Sequence, residues 1–175
     1  VFHKPMVNLT SIAPSPIYYD NEQEGRAYGM DFILKKQFSN GSYGWLSYTY
    51  SRSERTDSDQ TRLFDGDQPH TLNVVWSEPL TGSWSKWRWG VKANLATGQP
   101  YTDIIAKTLT VSPTGDNYWV PIYGPTNEER FPNYFKLDLA LERQFKYQDI
   151  NLTAKFELIN VNALFRPNVV GYLYN

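Results

Sequence analysis

The residue types that most often serve as nucleophiles, bases or transition-metal ligands, cysteine and histidine, are scarce in this 175-residue chain. There is no cysteine and there are only two histidines, His3 and His70, so no spacing typical of a zinc site or a nucleophilic thiol occurs. Ser47 forms no recognisable nucleophile–base pair with His70. Asp138 and Glu142 are separated by about 13 Å along a predicted strand, too far for the carboxylate pair of a glycosidase. We therefore predict that the chain is not an enzyme and has no catalytic residue, metal site or cofactor.

A second group of candidate ligands is acidic. Asp57, Asp59, Asp65 and Asp67 lie in the polar segment 53–69, and clustered carboxylates are what a hard cation such as calcium prefers. Their spacing does not match an EF-hand, and the glycine stands at the wrong position. We interpret the segment as a solvated loop, with weak binding of divalent ions as the alternative.

The best candidates for ligand contact lie between positions 98 and 130. The predicted substrate-binding residues of this segment are Tyr101, Tyr118, Trp119, Tyr123 and Arg130. Aromatic rings mixed with arginine on an exposed loop are typical anchors of a binding surface. The alternative is that the rings pack the loop against itself and that Arg130 braces its rim. Both interpretations stay open at this point.

Composition excludes several classes of function. The formal net charge is −1, which gives no electrostatic reason to bind nucleic acid. The chain contains 13 Tyr and 6 Trp, more amphipathic rings than a small soluble core would accommodate. No run of about 18 apolar residues occurs, so no transmembrane helix is predicted, although a membrane-spanning strand needs only about 9–11 residues. The absence of cysteine fits an oxidising envelope compartment.

Several segments alternate apolar and polar residues at every second position. This period predicts β-strands over residues 25–38, 42–52, 70–79, 84–97, 133–145 and 150–160. One face of each strand is apolar, as in Leu137 and Leu139, and the other carries charges such as Lys136 and Asp138. Short and long links alternate, so all the short turns fall on one side. This pattern is typical of the wall of a transmembrane antiparallel up-and-down β-barrel.

The alternation alone does not say which face meets lipid, because a soluble lipocalin-like barrel places its apolar residues inside. Aromatic residues favour the membrane, since they form two bands near the two ends of the strands, where bilayer interfaces lie. One band comprises Phe38, Tyr43, Trp45, Trp84, Trp87, Phe145 and Tyr147, and the other comprises Tyr28, Tyr48, Tyr50 and Tyr134. We therefore expect the apolar face to contact lipid and the charged face to line a wet lumen.

About six complete strands cannot close such a wall, because an open edge in lipid leaves backbone groups without hydrogen bonds. Residues 1–10 have the pattern of the end of a strand, and 11–24 that of a loop containing Pro14 and Pro16. Residues 160–175 have the pattern of a loop followed by the start of a further strand. We expect the chain to be part of a larger barrel.

Short motifs in a fixed order carry a family resemblance. The first are a Gly-x-x-x-Gly-x-Asp strand and a Gly-Trp-x-Ser-Tyr-x-x-Ser strand, formed by Gly25, Gly29, Asp31, Gly44, Trp45, Ser47, Tyr48 and Ser51. The next loop closes with Phe64, Asp65, Asp67, Pro69 and His70, and later elements are Gly98 to Thr102, then Asn127, Arg130, Phe131, Pro132 and Tyr134, then Leu137 to Leu139. Asn160 and Asn162 follow with an altered spacing. Together these motifs resemble the last part of the barrel of TonB-dependent outer-membrane receptors.

This resemblance implies that residues 1–175 are the carboxy-terminal portion of a receptor barrel of twenty-two strands, without its plug domain and final strand. It implies a multi-pass barrel in the outer membrane of a Gram-negative bacterium. The implied function is capture of a scarce nutrient, such as a ferric siderophore, cobalamin or an oligosaccharide, at extracellular loops, followed by import through the plugged barrel. The implied partners are outer-membrane lipid, the rest of the barrel and its plug, the nutrient, and a TonB-type energy-transducing protein that acts through the missing amino-terminal region.

Two functions from other classes stay open beside this one. The first is a soluble β-barrel module that binds a small hydrophobic ligand, which would purify as a monomer without detergent. The second is an outer-membrane barrel enzyme, which would need a nucleophile and a base that the sequence does not identify.

Overall fold

The computed structural model describes residues 1–14, 17–57 and 60–164, which form an all-β chain. The strands are β1 (Phe2–Pro14), β2 (Ile17–Gln37), β3 (Tyr43–Asp57), β4 (Gln60–Leu63), β5 (His70–Pro79), β6 (Trp87–Ala96), β7 (Pro100–Tyr101), β8 (Ile104–Val111), β9 (Asn117–Tyr123), β10 (Glu129–Arg130), β11 (Tyr134–Tyr147) and β12 (Ile150–Leu158). Two short 3₁₀ segments, Gly82–Trp84 and Val161–Leu164, are the only helical parts of these ranges. Neither has the length or the apolar composition that crossing a membrane as a helix requires.

The main sheet has the order β1-β2-β3-β5-β6-β11-β12, with β4 paired to the end of β3. Neighbours in this order also follow each other along the chain, apart from the short strands that lie inside the long links. Every pairing whose register is defined is antiparallel. The prediction of an all-β antiparallel chain is therefore confirmed. β1 and β12 form the two edges, and the described strands do not close into a barrel.

The six predicted strands correspond to β2, β3, β5, β6, β11 and β12, with their ends shifted. The prediction of a loop over 11–24 is wrong, because β1 and β2 continue to pair through this stretch and Pro14 lies opposite Ile17. Pro14 misled the prediction, since a proline at the end of a hairpin strand removes no hydrogen bond from a central ladder. Pro16 and the strand predicted near the end, within 165–175, lie outside the described residues.

Contacts divide the chain into two compact units. Unit 1 comprises Val1–Gly29, Ser51–Gln68 and Gly98–Phe131, and it contains both long links between strands of the main sheet. Unit 2 comprises Met30–Tyr50, Pro69–Thr97 and the chain from Pro132 onward, and it contains the short turns that follow β2, β5 and β11. β2 and β3 contribute residues to both units.

In unit 2 the strand register sorts side chains onto two faces. Residues that lie opposite one another in successive strands form one polar row, Ser47, Asn73, Asn94 and Lys136. The adjacent row is Leu46, Val74, Ala93 and Leu137. Because successive side chains of a strand point to opposite faces, unit 2 has one polar face and one apolar face, as the alternation predicts.

No large apolar side chain is buried among residues 1–10, 23–57 and 60–164, the ranges in which the structure describes side-chain burial. The buried residues are glycines, Pro100 and polar residues such as Ser77, which is 6% exposed. Side chains of the apolar face are open instead, with Phe32 56% and Phe156 62% exposed. A soluble protein of this size buries most of its large apolar side chains, so the apolar face is a surface without its usual covering layer.

The two aromatic bands are only partly on the apolar face. Trp87 and Phe145 lie there, because they share the parity of Trp89 and Leu141, which pair with each other. Tyr43 lies on the polar face opposite Ser77, and the register also places Trp45 and Tyr134 on that face. Counting aromatics along the chain overstated the apolar-face bands, since it ignored the parity of each position.

Candidate functional site

The segment 98–130, predicted as a loop, contains a β-hairpin made of β8 and β9. Its turn runs from Ser112 to Asp116, where the Ser112 N–H donates to the Asp116 carbonyl at 2.8 Å and Gly115 has φ 89°. A glycine is needed there because few other residues adopt a positive φ. The Pro-Thr-Gly-Asp sequence at the turn was the signal that sequence reasoning missed.

The aromatic candidates on this hairpin point to both of its faces. Trp119 and Tyr123 have the same parity on β9 and share one face, with exposed fractions of 58% and 61%. Lys107 lies on that face too, with its Nζ atom 4.9 Å from the centre of the Trp119 ring. Tyr118 lies on the opposite face with Ile122. The structure therefore brings Trp119 and Tyr123 to one surface and separates Tyr118 from them.

Tyr101 lies outside the hairpin, on β7, which pairs with β10. Its ring stacks on that of Phe131, with centroids 4.5 Å apart and planes 25° from parallel. Stacked rings at this distance stabilise the pairing of the two segments. Tyr101 thus lies where the two ends of segment 98–131 meet.

Arg130 joins the two long links of unit 1. Its guanidinium donates to the carboxylate of Asp67 at 2.5 Å, to the Asp67 carbonyl at 2.9 Å and to the Gly98 carbonyl at 3.0 Å. The Asp67 side chain is fully buried, and its second oxygen accepts the Ser53 N–H at 2.6 Å. These partners use three of the five guanidinium N–H groups, so Arg130 braces the links in this structure.

Asn127 makes a second connection between the same links. It is buried, with φ 60°, and its amide nitrogen donates to the Asp65 carboxylate at 2.6 Å and to the Leu63 carbonyl at 2.8 Å. Asparagine tolerates this left-handed conformation better than most residues. We call Asn127, Arg130, Asp65 and Asp67 the loop clasp. It holds the base of the β8–β9 hairpin on the Leu63–Asp67 segment.

The acidic segment 53–69 is not the solvated loop that its composition predicts. β3 extends to Asp57 and pairs with β4, Asp65 and Asp67 belong to the loop clasp, and Asp57 accepts a hydrogen bond from Gln23 at 3.1 Å. Asp59 lies outside the described residues. Arginine and amide side chains hydrogen-bond these carboxylates. The sequence does not reveal these partners, because they lie 34 to 63 positions away along the chain.

Glu54 is the centre of a second charged cluster in unit 1. Its side chain is 11% exposed and accepts hydrogen bonds from Arg26 at 2.6 Å and from Arg52 at 3.1 Å. Burial alone would raise the pKa of the Glu54 carboxyl, but the hydrogen bonds and charges of the two arginines outweigh it, so the pKa lies below its ordinary value. Glu54 is therefore a carboxylate whose ionised form unit 1 stabilises.

Other residues of catalytic type are not arranged for catalysis. The register places Ser47 and His70 on opposite faces of unit 2, and the His70 Nδ1 atom lies 2.8 Å from the Tyr48 hydroxyl. Within residues 1–14, 17–57 and 60–164, no three acidic, histidine or cysteine side chains form a group that could hold a metal ion.

The polar face of unit 2 carries paired charges around an open cavity of about 420 Å³. Lys136 pairs with Asp138 at 3.2 Å, and Lys155 pairs with Glu157 at 2.8 Å. The lining of the cavity includes Ala140 and Gly90, which lie opposite each other on neighbouring strands. Such a face suits contact with water or with another polar surface.

Comparisons of the chain with protein-family models, with curated proteins and with solved structures found no match.

Proposed function

We propose that this chain is part of the wall of a TonB-dependent receptor in a bacterial outer membrane, which captures a scarce nutrient and imports it through a plugged barrel. The observation that carries the proposal is the exposed apolar face of unit 2, backed by a polar face, in a chain whose described residues bury no large apolar side chain. A bilayer supplies the missing apolar environment, and a wet lumen supplies the polar one.

The connections of the main sheet support the same proposal. The short turns that follow β2, β5 and β11 belong to unit 2, whereas both long links, and the connection from β1 to β2, belong to unit 1. Outer-membrane barrels have short periplasmic turns and longer extracellular loops. The edges β1 and β12 would then pair with further strands of a larger barrel, which the resemblance puts at twenty-two strands.

The alternatives have less support. A soluble module that binds a hydrophobic ligand needs an apolar interior, and none is seen among the described residues. An outer-membrane enzyme needs a nucleophile beside a base, and the Ser47 and His70 positions do not supply that pair.

The nutrient would bind at the extracellular loops of unit 1. The exposed face with Trp119, Tyr123 and Lys107 offers two rings and a cation, which suit a ligand with flat or apolar surface and negative charge. The loop clasp would hold this face in position. The role proposed for this surface is to bind the nutrient. Movement of the plug, driven by a TonB-type protein, would then complete import.

The membrane orientation is tested by spin labels, because a chain without cysteine accepts single cysteines cleanly. The labels replace Leu139 and Phe156 on the apolar face, and Ala140 and Thr153 on the polar face. In purified membranes we expect oxygen to relax the first two labels and a water-soluble nickel chelate the second two. Equal access of the nickel chelate to all four labels would refute the membrane proposal.

The face of the β8–β9 hairpin with Lys107, Trp119 and Tyr123 is tested as the capture site in cells that carry the complete receptor. The labelled probes are a ferric hydroxamate siderophore, cyanocobalamin and a maltodextrin. We expect one probe to bind, and Trp119→Ala with Tyr123→Ala to weaken its binding by roughly tenfold or more. Tyr118→Ala, on the other face, is the matched control and should have a much smaller effect. If the control weakens binding of the probe as much as the double substitution does, this surface is not the capture site.

A further inference from the structure

Three hydrogen-bond donors form a cluster at the short-turn end of the apolar face of unit 2. The guanidinium carbon of Arg143 lies 5.2 Å from the centre of the Trp87 ring, and the Trp84 ring lies 6.1 Å from that of Trp87. Arg143 pairs with Trp87 across β11 and β6, so both side chains lie on the apolar face. We call Trp84, Trp87 and Arg143 the donor cluster.

The donor cluster has no acceptor in the part of the chain that the structure describes. No carbonyl, carboxylate or hydroxyl there accepts a hydrogen bond from the Arg143 guanidinium or from the indole N–H of Trp84 or Trp87. Arginine and tryptophan side chains donate and cannot accept. The nearby Trp76 differs, because its indole N–H donates to the Glu78 carboxylate at 3.2 Å. A ligand that bonded to all three groups would have to accept their hydrogen bonds.

The surroundings of the donor cluster limit further which kinds of ligand could bind there. On the same face and at the same end lie Leu141, Phe145 and Leu152, whose exposed fractions are between 37% and 42%. Glu142 and Gln144, which flank Arg143 along β11, have the opposite parity and lie on the polar face. Glu78 shares the apolar face but forms no ion pair with Arg143. An anion bound here would have a cation on one side and hydrocarbon on the other.

We propose that the donor cluster binds the phosphate of a phospholipid headgroup, with the acyl chains lying along Leu141, Phe145 and Leu152. A planar guanidinium donates two parallel hydrogen bonds to a phosphate, and indole N–H groups suit the interfacial depth of a headgroup. A free phosphate ion would use the donors but not the apolar surface. This inference rests on the proposed membrane location.

The test measures lipids that stay bound to the complete receptor after purification in mild detergent. Native mass spectrometry is run after addition of phosphatidylglycerol, of diacylglycerol, which lacks the phosphate, or of inorganic phosphate. The variants are Arg143→Gln, Trp84→Phe, which keeps an aromatic ring and removes the N–H, and Lys146→Gln. Lys146 is the matched control, because it is a cation on the same strand whose position belongs to the polar face.

We expect the wild type and Lys146→Gln to retain phosphatidylglycerol and not diacylglycerol. Arg143→Gln should reduce retention on the order of tenfold, and Trp84→Phe by a smaller factor. Equal retention in Arg143→Gln and the wild type would overturn the proposal, as would no retention in any variant. Displacement of the lipid by millimolar inorganic phosphate would overturn it too, by assigning the cluster to a free anion.

A different experiment, the spin-label measurement, tests the membrane location. If the spin labels at Leu139 and Phe156 are reached by the nickel chelate, the proposed function fails. If those labels lie in lipid and Arg143→Gln retains phospholipid normally, only the headgroup site fails.

Discussion

At the scale of single residues, polar side chains take the buried positions that apolar ones hold in most proteins. Asp67, Asn127, Glu54 and Gln23 are all buried in unit 1. Each has partners that are far away in sequence, as with Asp67 and Arg130, which are 63 positions apart. Buried polar groups are costly unless they are paired, so this pairing sets the stability of unit 1.

The loop clasp should dominate that stability. Arg130→Met leaves the buried Asp67 carboxylate without its counter-charge, and we expect a loss of about 3–5 kcal/mol in the free energy of unfolding. The measurement is denaturant unfolding of the purified protein, with hydrogen exchange at unit 1 amides as the local readout. Arg62→Met is the matched control, because its partner Asp57 is 3.8 Å away and 46% exposed. Arg62→Met should lower the free energy of unfolding by at most about 1 kcal/mol. Equal losses of stability in Arg62→Met and Arg130→Met would contradict the role of the loop clasp.

Glu54 should make the stability of unit 1 dependent on acid. Its pKa is lowered in the folded state, so its stabilising effect is present above the unfolded value of 4.5 and is lost as the pH falls below it. We expect the free energy of unfolding to decrease as the pH falls through 4.5 and below, and Glu54→Gln to flatten this part of the profile. Glu128→Gln removes an exposed carboxylate instead, and its profile should keep the wild-type slope.

At the scale of elements, the strands with an uninterrupted period were predictable and the shorter ones were not. β5 and β11 follow the alternation closely, because a buried or lipid-facing ladder fixes the parity of each side chain. β8 and β9 were not predicted, because their apolar residues, such as Ile105 and Tyr118, lie on both faces. Their sequences therefore show no alternation of apolar and polar residues. The five predicted site residues lie in one segment, but which of them share a surface depends on a strand register that the sequence does not display.

The end of β12 shows how a side chain can replace a strand partner. The Asn162 amide accepts the Leu137 N–H at 2.8 Å and donates to the Phe135 carbonyl at 2.7 Å, so it continues the ladder on β11 beyond Leu158. We expect Asn162→Ala to destabilise the chain by about 1–3 kcal/mol and to speed exchange of the Leu137 amide. Asn151→Ala, on the exposed part of β12, should leave that amide protected. Unchanged exchange in Asn162→Ala would mean that the contact adds no protection.

At the scale of the whole chain, each face of unit 2 has a different solvent requirement. The polar row formed by Ser47, Asn73, Asn94 and Lys136 alternates with rows such as Leu46, Val74, Ala93 and Leu137. A single solvent cannot suit both faces, because hydrocarbon penalises the charges and water penalises the exposed apolar surface. The sequence predicts these two faces directly, whereas their proposed assignment to lipid and lumen rests on the exposure of large apolar side chains among the described residues.

This assignment predicts opposite outcomes for the same charge at adjacent positions. Leu139→Lys places an ammonium on the apolar face, where a mid-membrane lysine costs about 2–4 kcal/mol, whereas Ala140→Lys adds one to the polar face beside Glu157. We expect Leu139→Lys to lower the denaturant midpoint and the yield of protein assembled in the membrane, and Ala140→Lys to leave both near the wild-type values. A soluble module with water at its apolar face would tolerate Leu139→Lys as well as Ala140→Lys. Loss of assembly in the Ala140 variant alone would place lipid on the opposite face, because only there would its charge be the costly one.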